Sequence, residues 1–302
     1  MWTRKEYLTK HVFGFEVASH LAVLFSTVLE RTLMYDAVIK FIVILMLLGF
    51  AGCSTFNAYQ KVQPQLVSPS ANGYVGPVEV QRGKSRPVID AAGRLLGLPN
   101  RIAIGDARVD NHNVSTATEM EITNYLEHNG LNSVLVRSNQ YAPIKELKRM
   151  VSNDEIRPFW KATFGSYNLL KYTLLPGRLT GGDWYNPYSK TLNVYSDTPI
   201  LAVSQATYAE DVRGRVNPGA YAALKDIPLA GLGHETTATK LAERWYESES
   251  PEKLQAAREI LYPNYGAAVG GQVASFFPYG EVIGRVVGGG LGQLANKARD
   301  LR

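Results

Sequence analysis

Cysteine is almost missing from this sequence, with one in 302 residues. A single thiol excludes an internal disulfide, so the fold must rest on its own core. Histidine is scarce as well: only His112, His128 and His234 follow Cys53, and they do not share a metal-ligand spacing. No run of apolar residues approaches the ~20 that a membrane-spanning helix needs. The formal charge of +5 is spread along the chain rather than gathered into a Lys/Arg cluster. That pattern argues against a nucleic-acid partner and suits an anionic membrane or wall surface. No internal repeat of whole domains is visible.

What is there begins with the cysteine itself. Lys40 precedes the unbroken apolar run Phe41–Phe50, and Ala51-Gly52 places two small residues directly before Cys53. A positive start, a short apolar core and small residues at a cleavage point form a secretory signal peptide. A cysteine just after the cleaved bond offers a thiol for diacylglycerol, so the segment resembles a lipoprotein box, with Phe50 where Leu is more usual. The alternative is a cysteine buried in an apolar helix. Residues 1–33 read as an upstream extension, because Met34 followed by Tyr35–Lys40 makes an ordinary start. The alternative there is a weak anchor on Val17–Leu29, which is short and interrupted by His20. Lipoproteins of this kind that lack Asp after the cysteine sort to the outer membrane, and Ser54 stands at that position.

The expected organisation is an extension (1–33), a signal peptide (34–52), a flexible polar tether (53–77), an α+β domain (78–262) and a glycine-rich segment with a charged tail (263–302). Arg86–Gly97 reads as a helix with Pro87 in its first turn and Gly97 at its end. Arg101–Ile104 reads as a strand. Ser115 caps a helix that closes at Asn129-Gly130. Ser133–Val136 follows as a strand and Pro143–Val151 as a helix. Tyr172–Leu175 and Thr191–Tyr195 read as strands flanking Gly181–Tyr188. Thr198 caps a helix begun by Pro199, and helices follow over Pro199–Arg213, Pro218–Leu224, Pro228–Glu247 and Pro251–Tyr262.

A strand running into a helix, with a glutamate on a second helix some twenty residues later, is the layout of zinc peptidases of the His-Glu-x-x-His type. There the first helix offers two histidines at i and i+4 and a glutamate that deprotonates the metal-bound water. The edge strand before it holds extended substrate by backbone pairing. Here Thr191–Ser196 is the strand, Pro199–Arg213 the first helix, and Glu235 the candidate third ligand.

The run Gly182-Asp-Trp-Tyr-Asn-Pro-Tyr-Ser-Lys-Thr-Leu-Asn-Val-Tyr-Ser-Asp197 resembles a family of bacterial zincin-like proteins. So do Asp110-Asn111-His112, Asn139–Pro143, Leu174–Arg178 and His234–Thr239, and the resemblance spans most of Pro87–Phe277. It implies a His-Glu-Gly-Gly-His motif after the strand. Counted back from Ala209–Val212, this chain has Ser204 and Tyr208 at the histidine positions and Gln205 at the glutamate. A hydroxyl and a phenol are poor neutral ligands for zinc. A Gln amide has no basic site for the water's proton. The resemblance therefore implies a vestigial site at Ser204, Gln205, Tyr208 and Glu235, with no metal and no catalytic residue.

Other features keep two readings each. Trp184, Tyr185, Tyr188 and Tyr195 line a peptide or glycan groove, or pack a hairpin. His234-Glu235 binds a metal, or simply lies near a helix start. Ser204 has neither a nearby histidine nor a Gly-x-Ser-x-Gly elbow, which weighs against a nucleophile. Asp110-Asn111-His112 reads as a turn. Gly280, Gly284, Gly288 and Gly292 recur every four residues, and Gly266 with Gly270 repeats the spacing. Each glycine costs a helix about 1 kcal/mol relative to alanine, so the register needs close backbone approach to another helix. That helix lies on the domain, or in a membrane; Glu281 and Arg285 argue against the second.

The expectation is an α+β fold: a small mixed sheet with an edge hairpin, a zincin-like helical half and a glycine-rich helical end. The function it implies is a lipid-anchored, catalytically silent binding or scaffolding module of the cell envelope. Its only attached group is the diacylglycerol and fatty acyl at Cys53, and its partners are the membrane and an envelope protein or peptide. Two alternatives stand beside it. One is an active envelope hydrolase with a non-standard site; the other is a structural lipoprotein that oligomerises or touches membrane through its glycine-rich end.

Overall fold

The computed structural model describes Lys61 and residues 77–175, 177–227 and 229–300. The segments expected as upstream extension and signal peptide, Cys53 and nearly all of the expected tether lie outside the described residues. What is described is a mixed helical protein with a small four-stranded sheet, hence α+β. The strands are β1 (Val80–Arg82), β2 (Leu135–Ser138), β3 (Trp184–Asn186) and β4 (Thr191–Val194), in the spatial order β1-β2-β4-β3. β1, β2 and β4 run parallel, and β3 turns back antiparallel on β4 with Tyr185 opposite Leu192. The hairpin thus sits at the sheet edge, but its outer strand is β3. Thr191–Val194, expected as the edge, is an interior strand.

Around the sheet stand α1 (Pro87–Leu96), α2 (Leu98–Ile104), α3 (Thr116–His128), α4 (Pro143–Ser152) and α5 (Ser166–Leu174). The second half adds α6 (Pro199–Arg213), α7 (Pro218–Leu224), α8 (Gly231–Glu249), α9 (Pro251–Ala274) and α10 (Gly280–Asp300). Proline opens α1, α4, α6, α7 and α9, where its fixed φ suits the first turn and its missing N–H costs nothing. Ser115 caps α3 by accepting from the Thr118 N–H at 3.3 Å. Thr198 does not cap α6; its hydroxyl is buried and has no partner.

Two expected strands are helices. Arg101–Ile104 ends α2, which Pro99 starts and Gly105 closes at φ 81°. Tyr172–Leu174 ends α5, a helix that runs on from Pro158–Trp160 through a wider turn at Lys161–Gly165. A third difference is α9. It passes through Pro263 to Ala274 rather than stopping at Tyr262, so it crosses the boundary expected at 262/263.

The core lies between one sheet face and the helices α3 and α6. Val136, Leu192 and Val194 meet Ile122, Tyr125 and Leu126 of α3 and Ala202, Val203 and Ala206 of α6, all buried. Each large side chain there contributes about 1.5–3 kcal/mol on burial. The opposite face is polar. Arg137 and Glu146 are both fully buried and ion-paired. Glu146 Oε1 also accepts from Asn186 Nδ2 at 2.8 Å and from the Ser189 hydroxyl. These bonds lock the β3–β4 hairpin onto α4, because a buried carboxylate must find donors.

Candidate functional site

The turn before β3 is built to hold charge. Gly181 and Gly182 adopt φ of 73° and 86°, a region open mainly to glycine, and so turn the Gly182 N–H onto Asp110 Oδ1 at 2.6 Å. Asn100 Nδ2 donates to Asp110 Oδ2 at 2.8 Å. Asp183 Oδ1 then accepts the N–H groups of Tyr195 (2.7 Å) and Ser196 (3.0 Å), closing the end of β4. Its other oxygen is buried and finds no partner. Burial above all, with Asp110 close by, pushes the Asp183 carboxyl up to about 7, although the two backbone donors pull the other way.

The strand–helix–helix arrangement is present. β4 leads through Asp197 into α6, and α8 packs on α6, where the Thr207 hydroxyl donates to Ala238 O at 3.1 Å. Asp197 itself accepts from the Ser115 N–H at 2.9 Å and the Thr118 hydroxyl at 2.7 Å, tying β4 to the start of α3.

Two adjoining cavities of about 480 and 200 Å³ open beside this arrangement, sharing Asn100, Gly182, Asp183, Trp184, Lys225 and Arg285 as walls. Tyr208 lines the larger cavity; Gln205 and Glu235 line the smaller one. Ser204 is buried and lines neither. Trp184 and Tyr185 of β3 and Tyr188 of the turn after it border the larger cavity, whereas Tyr195 does not. Its ring is wholly buried against His112 and Gly177, and its hydroxyl donates to Gln140 O at 3.1 Å.

The decisive group is one with no signal in the sequence. Lys225, just past α7, carries its Nζ to 3.6 Å from Glu235 Oε1 and 4.1 Å from the centroid of the Tyr208 ring. An ammonium therefore compensates the glutamate and rests on the aromatic face, a favourable place for a cation. Gln205 Oε1 and the Tyr208 hydroxyl are buried without partners.

His234 and Glu235 diverge, as neighbours on a helix do. His234 is buried between Tyr221, 4.1 Å away by ring centroids, and Tyr208, 5.3 Å away. Burial, with Lys225 and Arg215 adding repulsion, lowers its pKa to about 3, so it is neutral throughout the physiological range. His112 is buried in the turn whose residues Asp110 and His112 have φ of 49° and 54°. Its pKa too is lowered by burial. His128 stacks edge-on against Trp245. Among the described residues no three of His, Cys, Asp and Glu are placed to hold a metal ion together.

Lys225, Asp183, Asp110 and Arg285 are the site residues that the sequence does not single out as such. They come from loops and from α10, and converge only in the fold. No known protein family matches the chain, and neither does any curated protein or solved structure.

Proposed function

We propose that this chain is a lipid-anchored module of the cell envelope that binds an extended peptide partner in a zincin-like cleft which has lost its chemistry. Cys53 carries the diacylglycerol and fatty acyl, the residues up to 77 tether the domain, and the outer membrane, on its periplasmic side, is the surface it serves. The observation that carries the reading is the Lys225–Glu235 pair. The Lys225 Nζ lies 3.6 Å from Glu235 Oε1 on the second helix and 4.1 Å from the Tyr208 ring on the first, which supports a cleft whose acid is matched by a side chain of this chain. With Gln205 in place of a base and Tyr208 in place of a ligand, the site lacks the parts for activating water.

The cleft keeps what binding needs. The outer strand β3 runs along the larger cavity, its aromatic side chains Trp184 and Tyr185 and the Tyr188 of the following turn in the wall, with Lys225 and Arg285 as cations and Asp183 and Asp226 as acids. An extended peptide pairs with such an edge through its backbone and places alternate side chains in the cavity.

The test is a screen of extended peptides, wall-derived ones included, against the purified chain, read by tryptophan fluorescence. Saturable binding that Trp184→Ala weakens tenfold or more, without cleavage of the peptide, is the expected result. Cleavage that a chelator stops would overturn the silent reading and favour an active hydrolase.

A further inference from the structure

We propose that the closed end of the α9–α10 hairpin dips into the bilayer, as a wedge beside the lipid anchor. The proposal takes its bilayer from the lipoprotein reading; the apolar surface itself is seen in the structure. Val273, Phe276, Phe277, Tyr279 and Ile283 crowd the turn between the helices, each 51–70 % exposed. Ile283, Val287, Leu291 and Leu294 continue the surface along one stripe of α10. No residue from Ile260 to Gly280 is charged. The first charges after the turn face elsewhere: Glu281 borders the larger cavity, and Arg285 Nε donates to Asn100 Oδ1 at 3.1 Å. An apolar patch of this extent marks an interaction surface, and aromatic residues at its tip suit the headgroup boundary.

The hairpin is stiff enough to act as a wedge. A Cβ on Gly270 would lie 2.0 Å from Gly284 O, and one on Gly288 would lie 2.1 Å from Gly266 O. The two backbones are therefore in direct contact, and glycine is what lets them be. On the other side Gln293 Nε2 bonds Ala103 O at 2.9 Å, fixing α10 to α2. No helix among the described residues is long and apolar enough to cross a membrane, so the hairpin inserts at the boundary rather than spanning.

A lipid surface is favoured over a second copy by where the chain leads. Cys53 stands eight residues before Lys61, a reach of at most about 29 Å. Lys61 pairs by its backbone with Arg215, and Nζ lies 3.6 Å from Asp211 Oδ1. Arg215 rests 3.9 Å over the Tyr221 ring of α7. The chain after α7 reaches Leu229, whose N–H is held by Gln272 Oε1 at 3.0 Å, next to the hairpin tip. One short helix thus separates the exit of the tether from the wedge, and the anchor brings the bilayer within the tip's reach.

The experiment uses the full lipidated chain carrying Phe277→Trp, in vesicles of phosphatidylethanolamine and phosphatidylglycerol at 3:1, with brominated lipid as quencher. The added tryptophan should lose at least twice the fraction of emission that the parent chain loses. Its being unquenched by bromolipid while the chain is vesicle-bound would overturn the proposal. So would shielding that follows protein concentration instead of lipid, which is the signature of a second copy. A parallel fatty-acid label reads Cys53 separately. Label with an unquenched tip sinks the wedge alone; quenching on added vesicles without label sinks the lipoprotein reading alone. The tip side chains are exposed, so Phe276→Ser with Phe277→Ser should leave the melting temperature in place and remove vesicle binding by the Cys53→Ser chain.

Discussion

Lys225 Nζ stands 3.6 Å from Glu235 Oε1, so the one acid that the second helix offers to the cleft is already neutralised by a residue of the chain itself. The pair is only partly buried, with side-chain exposures of 27 and 16 %, and its geometry is that of an ion pair. Its role should show in stability. Lys225→Ala leaves Glu235 without its cation and should cost about 1–2 kcal/mol. Glu235→Gln should cost less, and the double variant should lose less than the two single losses combined. A double-mutant cycle from denaturant melts checks this; additive losses would show that the two groups do not interact.

The glycines of α10 make opposite predictions from identical chemistry. Alanine is the better helix former by about 1 kcal/mol, so Gly290→Ala should stabilise the protein, since a Cβ there meets nothing within 4 Å. Gly288→Ala should instead destabilise it by at least about 2 kcal/mol, because its Cβ would collide with the Gly266 carbonyl oxygen at 2.1 Å. Thermal melts of the two variants decide. Equal effects would mean that the helices do not touch through their backbones.

Asp183 makes stability depend on pH in a particular direction. Its carboxyl rises from 3.8 to about 7 on folding, mainly through burial. The folded state thus holds the proton more tightly, and the contribution is fully present below pH 3.8 and lost as pH climbs to about 7. Asp183→Asn keeps an acceptor for the Tyr195 and Ser196 N–H groups without the ionisation. The variant should gain roughly 1–3 kcal/mol over the parent at pH 8 and nothing comparable at pH 4. Paired denaturant melts at the two pH values measure it, and a constant difference between the chains would contradict the assignment.

Much of the fold was legible, and the failures have physical causes. Prolines at helix starts fixed α1, α4, α6, α7 and α9 closely, because position one tolerates proline whatever the tertiary context. β4 was legible from its alternation of Leu192 and Val194 with polar neighbours, but its hairpin partner was not: β3 lies within the segment read as the connection, and the expected partner at Tyr172–Leu175 falls at the end of helix α5. Ile102 and Ile104 read as strand because β-branched residues favour it, yet Pro99 starts a helix there and α10 packs on it. Pro263 read as a stop; the contacts of Gly266 and Gly270 with α10 hold the helix through it.

The site was legible only where it is a spacing. Gln205 lines the smaller cavity with Glu235 and Tyr208 the larger one, whereas Ser204, expected to face Glu235 beside Tyr208, lines neither. Lys225 had no spacing to announce it, for it stands in a loop, and Asp110 and Asp183 meet across 73 residues only because glycines turn the chain. Tyr195 looked like a fourth groove aromatic, but strand alternation gives no way to tell a cavity face from a packed one.

The silent-cleft account is tested most directly by the zinc content of the full chain, purified without chelator and supplied with equimolar zinc before dialysis. It predicts well under 0.1 zinc per chain and no peptide hydrolysis sensitive to chelators, in the parent and in Lys225→Ala alike. One equivalent of zinc per chain, with hydrolysis that a chelator abolishes and zinc restores, would contradict it.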